Sequence, residues 1–419
     1  MKKFLLLFLL LAPYQIQAQE NSTQNQNLTQ GLWKGILEEE IQNSSAPAKF
    51  FDPNFSAGLV TDFNYDHNYQ SQDSVNNYND SLLKTILASK AALNKHLSLQ
   101  SVIRLDELNK YNSDFATNSS GGNVAASTGN SRYFQDEALR VDEIALNYTN
   151  KNLTILAGKF VPNFGLNWKW GRGIWSNNLS SNYRQMQKIG GGFSYKMGDR
   201  KKTGQYNFGF STFTNDQTGL NNSLINKSAP YDKNSATPGN AGGILQSYVA
   251  SIDVLFDFSQ KEKLSYHFSY LNLGVNSNVA TTTTSSKIGD QQGYAAALNY
   301  RYPIIENFLI DALVEYVDMK NVGGNSDITQ KYSTASLVGE IYQNWNVTLA
   351  TTLMAQRQIN YNGFNQNLSE ISFGYKFDKT AFFDQILLQA GYKNFRTNYK
   401  TDVVSNDSLG FLVRYIKAF

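Results

Sequence analysis

The sequence predicts an all-β fold, a transmembrane antiparallel up-and-down β-barrel of about sixteen strands forming one domain. Three observations carry this. Apolar residues recur at every second position, polar links alternate between a short and a long class, and no apolar run past the first dozen residues nears the ~20 of a membrane helix. Alternation suits a wall with lipid on one face and water on the other. A soluble domain of this length would bury a large core and show continuous aliphatic runs, and a soluble β-sandwich would not sort its loops by length.

The elements follow in order. Lys2 and Lys3, an apolar run from Phe4 to Ala12 and the small residue Ala18 predict a secretory signal peptide over 1–18. Residues 19–55 are expected to be a periplasmic N-terminal segment, a mobile tail or a small plug, in which Leu32 to Ile41 could form one short helix. The barrel is expected over 56–419. Its first strands begin near Leu59, Lys84, Leu97, Leu139, Leu153, Gly191 and Tyr206. The clearest segment is Tyr248 to Phe258, whose even positions are Tyr, Ala, Ile, Val, Phe and Phe while Ser251, Asp253 and Asp257 point the other way. A polar turn at Gln260 to Lys263 leads into Leu264, Tyr266, Phe268 and Tyr270, which completes a hairpin. The same grammar continues through Tyr294–Tyr302, Phe308–Tyr316, Ser336–Tyr342, Val347–Gln356, Ile371–Phe377, Ile386–Tyr392 and Phe411–Phe419.

Short links fall near Asn94, Asn150, Asp199, Gln260, Ile305, Gln343 and Lys379, and long ones near Ser71, Asn118, Trp170, Ser223, Thr282, Asn325, Asn362 and Asp402. Short turns on the periplasmic side and long loops outside produce this alternation. By strand parity Lys90, Arg104, Lys196, Arg301, Lys376, Lys393 and Arg414 face the lumen, as do Asp62, Glu143, Asp253, Asp257, Asp311, Glu315 and Glu370. Such a mixed wall either orders polar solutes in a transverse field or pairs off internally.

Bulk composition excludes several classes. The chain has no cysteine, so disulfides and a lipoprotein anchor are ruled out. Loss of Lys2 and Lys3 with the leader takes the formal charge from +3 to +1, which argues against a nucleic-acid partner.

Two segments carry a family resemblance. The chain ends in Phe419, preceded at alternate positions by Tyr415, Val413 and Phe411. This is similar to the terminal strand of Gram-negative outer-membrane proteins, in which Phe419 and Tyr415 would serve as the signal read by the barrel-assembly machinery; Lys417 departs from that pattern. Gly158 to Gly165, then Gly171-Arg172-Gly173-Ile174-Trp175, Tyr183 and Ile189-Gly190 resemble a segment of porin-like proteins, broadly those of the general and phosphate-selective porins. The resemblance implies an outer-membrane location, sixteen strands, a homotrimer, and contacts with outer-membrane lipid and lipopolysaccharide.

It also implies that the loop between the fifth and sixth strands, Val161 to Lys188, folds inward and narrows the channel. Trp168, Trp170 and Trp175 are three of the five tryptophans, more than a solvated loop would carry. Lys169, Arg172, Arg184 and Lys188 add positive charge, and the segment holds no acid. These residues are expected at the constriction, favouring anions. The alternative is an external loop whose tryptophans pack on the rim.

The function expected is therefore passive diffusion of small hydrophilic solutes with a weak anion preference. No cofactor and no metal site is expected, nor catalysis. The only histidines are His67, His96 and His267; His67 with Asp62 and Asp66 is the one faint catalytic grouping, and His267 has no Ser/Asp set near it in sequence. The rival readings are a plugged transporter for a siderophore or fatty acid, and a surface adhesin.

Overall fold

The computed structural model describes residues 54–71, 77–107, 131–134, 137–225, 238–240, 245–275, 288–342, 344–359, 361–377, 386–400 and 402–418. The expected signal peptide, nearly all of the 19–55 segment and Phe419 lie outside the described residues. Sixteen strands make the wall: β1 (Asn54–Ser71), β2 (Asn79–Ala92), β3 (Leu97–Glu107), β4 (Glu137–Asn150), β5 (Leu153–Phe160), β6 (Lys188–Asp199), β7 (Gly204–Asn215), β8 (Tyr248–Asp257), β9 (Lys263–Leu273), β10 (Gln291–Ile305), β11 (Phe308–Lys320), β12 (Ile328–Ile341), β13 (Trp345–Gln358), β14 (Tyr361–Lys376), β15 (Ile386–Asn398) and β16 (Val403–Ala418). Each pairs antiparallel with its neighbours, and β1 closes on β16 from Gly58↔Ala418 to Ser71↔Asn406. Arg132–Tyr133 adds a two-residue parallel pairing to β2. Closure leaves the wall without an open edge, which a bilayer demands.

Alternation sorts the side chains as expected. Phe193, Tyr195, Phe268, Tyr294, Val314 and Leu349 stand exposed on the outside, while Asp253, Arg301, Asp311, Glu315 and Gln389 are buried within. Aromatic rings form two girdles: Phe210, Tyr248, Tyr270 and Tyr294 touch in sequence at the outer end, and Tyr300–Tyr302 and Trp345–Tyr375–Phe377 line the other.

The ladder departs from the sequence expectation in three places. β1 and β2 begin five residues earlier than the starts expected near Leu59 and Lys84. Asn54 to Ser56 and Asn79 to Ser81 pair nonetheless, because backbone bonding needs no run of apolar side chains. The long link expected at Asn362 is absent: Gln358 already pairs with Tyr361, and Asn362 lies inside β14. A bulge on β4 sets Val102 opposite Glu143 and Ile103 opposite Val141, so Asp142 and Glu143 are both buried on the inner face.

The largest hydrophobic cluster sits inside the barrel. Phe160, Val161, Phe164, Trp168, Trp175, Leu179 and Tyr183 pack there against inward residues such as Val249, Leu271, Val317, Tyr332 and Leu368.

Candidate functional site in the barrel lumen

After Phe160 the chain turns into the barrel and returns to the wall at Lys188. Within it lie one short helix, α1 (Asn167–Trp170), and a 3-10 turn at Leu179–Tyr183. Nothing in this stretch pairs with a neighbouring strand, so its amides need other acceptors. Two carboxylates of the wall provide them. Glu315 on β11 accepts the amides of Leu166 and Asn167 and the hydroxyl of Tyr183. Glu370 on β14 accepts Ile174 N–H at 2.6 Å and Trp175 N–H at 2.9 Å. Backbone freedom is needed where the chain bends over each acid. Gly165 has φ +70° and Gly173 φ +97°, and a Cβ on Gly173 would stand 2.2 Å from Glu370 Oε1.

Side chains complete the attachment. Trp175 donates its indole N–H to Asp66 on β1 at 2.8 Å, lies against Gly391 and Gly410, and is capped by Lys393, whose Nζ is 5.0 Å from the ring. Arg172 pairs with Asp311 at 2.7 Å. The loop thus reaches from β5 and β6 across the lumen to β1.

The root of the loop is held by a line of polar groups. Lys169 Nζ donates to Asn163 Oδ1 at 2.6 Å, and Asn163 donates to Asp253 at 3.0 Å. Asp253 Oδ1 meets His267 Nδ1 at 2.7 Å, and His267 Nε2 meets Ser269 Oγ at 2.9 Å. Ser269 Oγ then accepts Gly165 N–H at 3.3 Å. This Asp–His–Ser set was invisible in sequence order because a hairpin brings Asp253 beside His267. His267 has no exposed surface, and both ends of the line bond to the loop, so the set acts as a brace. The other histidine grouping comes apart. His67 bonds to Asn79 on the outer face, whereas Asp62 and Asp66 are buried on the inner one.

Burial depresses the Lys169 ammonium below the usual lysine range, with the charges of Asp253 and Glu315 opposing that shift. Burial raises the Tyr183 hydroxyl well above the ordinary tyrosine value, and the Glu315 carboxylate adds to the effect. Among the described residues no group of three or more His, Cys, Asp or Glu is placed to hold a metal.

The residues expected at the constriction are therefore brought inside the barrel, and Trp168, Lys169, Arg172, Trp175, Arg184 and Lys188 each have a side-chain partner. Trp168 and Trp175 are buried and Trp170 is half-buried. Lys188 donates to Asn215 at 2.5 Å and sits over Phe213. Arg184 faces the ionic groups of β4. Its guanidinium lies 4.6 Å from the Trp168 ring and 3.9 Å from Asp142.

Opposite the loop is a charged cluster that parity had given in part. Arg104 bonds to Asp142 and pairs with Asp106 at 3.5 Å, Arg140 approaches Asp142 at 3.4 Å, and Arg414 grips Asp62 at 2.6 Å. Lys84 interacts with Asp62, Asp106, Arg104 and Arg414. Lys84, Arg140, Asp106 and Asp142 were missed in sequence; Lys84 and Asp106 sit on the parity of the assigned Lys90 and Arg104, whereas Arg140 and Asp142 lie on the opposite parity to Glu143 and required the bulge. Lys90, Lys196, Asp257 and Lys376 keep the inward parity expected of them.

No protein-family model matches the chain, and no curated protein matches it by sequence. Solved structures do. The outer-membrane channel DcaP of Acinetobacter baumannii is 14% identical with a TM-score of 0.50, over 89% of this chain and 99% of that one. OmpT, an outer-membrane protein of Vibrio cholerae, is 13% identical with a TM-score of 0.49, over 89% and 99%. An anion-selective porin from Comamonas acidovorans is 11% identical with a TM-score of 0.44, over 87% and 99%. The fold is that of the sixteen-stranded outer-membrane porins.

Proposed function

We propose that this protein is an outer-membrane channel for passive diffusion of small hydrophilic solutes, narrowed by the loop from Val161 to Gln187. The observation that carries the reading is the loop's attachment to Glu315, Glu370 and Asp66, which seats it across a lumen lined by ionic side chains. The channel would work as a homotrimer among lipid and lipopolysaccharide, after insertion by the barrel-assembly machinery.

A weak anion preference is part of the proposal, with its source moved. Lys169, Arg172 and Lys188 support the loop's position. The cluster whose field we assign to the passage holds Lys84, Arg104, Arg140, Arg184 and Arg414, five cations against the four acids Asp62, Asp106, Asp142 and Glu143. A surplus of one cation gives a mild preference.

A closed transporter is the second reading, favoured by the loop's reach as far as β1. Single-channel conductance in a planar bilayer under a KCl gradient separates the two. Stable steps with a modest chloride preference support the channel. A folded barrel that conducts nothing favours the transporter.

A further inference from the structure

The inward loop is held along its length by wall carboxylates, and at its two roots by a second segment. Beyond Asn215 the chain bends over the ends of β5 and β6, where the loop leaves the wall and returns to it. Asp216 donates its N–H to Gln187 O at 2.7 Å. Its carboxylate lies 2.7 Å from Lys159 Nζ, which also donates to Leu220 O at 2.9 Å. Thr218 turns the segment. Its N–H and hydroxyl donate to Asp216 Oδ1 at 2.8 and 2.7 Å, and its Oγ1 accepts Leu220 N–H at 3.2 Å, which opens a 3-10 turn over Gly219–Asn221. Leu224 N–H then reaches Leu139 O on β4 at 2.8 Å. Residues 216–225 thus run from β7 to β4 across the strand ends between them.

Two features make this contact more than a covering. The ion pair is closed to water, with Lys159 1% and Asp216 0% exposed. A buried charge is tolerated only beside its partner, so the pair is either whole or broken, with no stable half-open state. The other side of the segment is bare, since Leu220, Leu224 and Ile225 are 44%, 75% and 61% exposed. A stretch held by a few polar contacts and little apolar packing belongs to the least stable part of a fold. Gln187, whose carbonyl the segment grips, also donates from Nε2 to Asp142 Oδ1 in the ionic wall at 3.3 Å. Lys159, Asp216, Gln187 and Asp142 therefore form one polar line from the outer surface to the passage.

We infer that residues 216–225 are a strap across both roots of the inward loop, and that Lys159 and Asp216 are positioning residues through which the strap sets the width of the passage. The inference rests on the constricting role proposed for the loop and adds a second holder to it. Glu315 and Glu370 hold the loop between its roots, whereas the strap holds residues 159 and 187, the two points about which the loop would swing. With the strap closed, both roots are tied to β4 and β7, and Gln187 keeps its bond to Asp142. With it lifted, Lys159 and Asp216 regain water, Gln187 is released, and the root of the loop shifts against the ionic wall. The balance between the two states depends on whether the attraction within the pair exceeds the hydration of the separated ions. The outer surface and the passage are coupled in this way without anything entering the lumen.

The test uses the full-length protein, whose lack of cysteine allows a lock to be introduced. Wild type is compared with Asp216→Asn, and with Asp216→Asn carrying Leu139→Cys and Leu224→Cys, both oxidised and reduced. Protease cleavage within 161–187 reports the loop, single-channel steps report the passage, and heat-modifiable migration certifies a folded barrel. In Asp216→Asn, cleavage is expected to quicken severalfold and the steps to become larger and noisier. Oxidation of the cysteine pair should return both to wild-type values while the reduced protein stays altered. If Asp216→Asn fails to fold, Lys159→Met with Asp216→Leu, which removes both charges together, replaces it with the same expectation. Unchanged cleavage and steps overturn the positioning role. A cysteine pair that does not join, or that joins without restoring wild-type behaviour, overturns the strap. Cleavage that responds as expected in a barrel that conducts nothing, wild type included, upholds the strap and overturns the channel.

Discussion

On β8 to β14 the inward positions of the outer half mix apolar side chains with neutral polar groups and the acids Asp253, Glu315 and Glu370; on β1 to β4 they carry lysine, arginine, aspartate and glutamate among a few apolar and amide residues. The first wall receives the loop and buries it. The second keeps its charges paired across the remaining lumen. Val249, Leu271, Val317 and Leu368 are the difference, since they pack against the docked loop, whereas the aliphatic residues of the second wall, Val60, Ile86, Val102 and Ile416, form a separate cluster. One barrel thus holds a packed interior and an ionic passage side by side.

The greatest effect is expected from unseating the loop at its carboxylates. Glu315→Gln with Glu370→Gln removes the charge that accepts four loop amides and one hydroxyl, each charged acceptor contributing ~1.5–3 kcal/mol. Single-channel conductance should rise and the loop should become open to protease while the barrel keeps its heat-modifiable migration. An unchanged conductance would show that the loop's apolar packing alone holds it.

Trp175→Ala probes that packing. Loss of a buried tryptophan costs ~3–5 kcal/mol, and here the loss falls on the loop's seat between Gly391, Gly410 and Lys393. Protease sensitivity should increase near residue 175, with the thermal transition of the barrel wall nearly unmoved. A large fall in that transition would mean that loop and wall melt together.

Selectivity sharpens the contrast between the two walls. Arg104→Gln with Arg140→Gln should shift the reversal potential toward cations, by roughly severalfold in permeability ratio. Lys169→Gln should leave it close to wild type, because Lys169 is bonded to Asn163 and its charge is set against Asp253 and Glu315. The reverse pattern would return the selectivity to the loop.

The barrel was legible in the sequence because a two-sided wall imposes period two on every strand, and Tyr248 to Phe258 shows it undiluted. The loop was legible in outline, since three tryptophans among glycines and cations do not belong in water. The roles of its cations were not. Charge is visible in a sequence but pairing is not: Asp311, which meets Arg172, lies 139 residues away. The brace at His267 stayed hidden for the same reason, as did Asp142, whose direction depends on a bulge.

The smallest effect concerns pH. Burial lowers the Lys169 pKa in the folded loop below its value in solvent. A cation whose folded pKa is depressed opposes docking while it must stay protonated. That cost is fully present below the folded pKa, shrinks as pH rises through it, and is gone once pH passes the solvent value near 10.5. The loop should therefore seat more firmly as pH climbs toward that value, and conductance should fall slightly over the same window. Tyr183 does not confuse the reading, because its raised pKa keeps its hydroxyl donating to Glu315 throughout. Lys169→Met, which removes the titrating group but keeps the stem, should flatten the slope. A slope that survives the substitution would place its origin in the ionic wall of β1 to β4, and the loop would then be indifferent to pH.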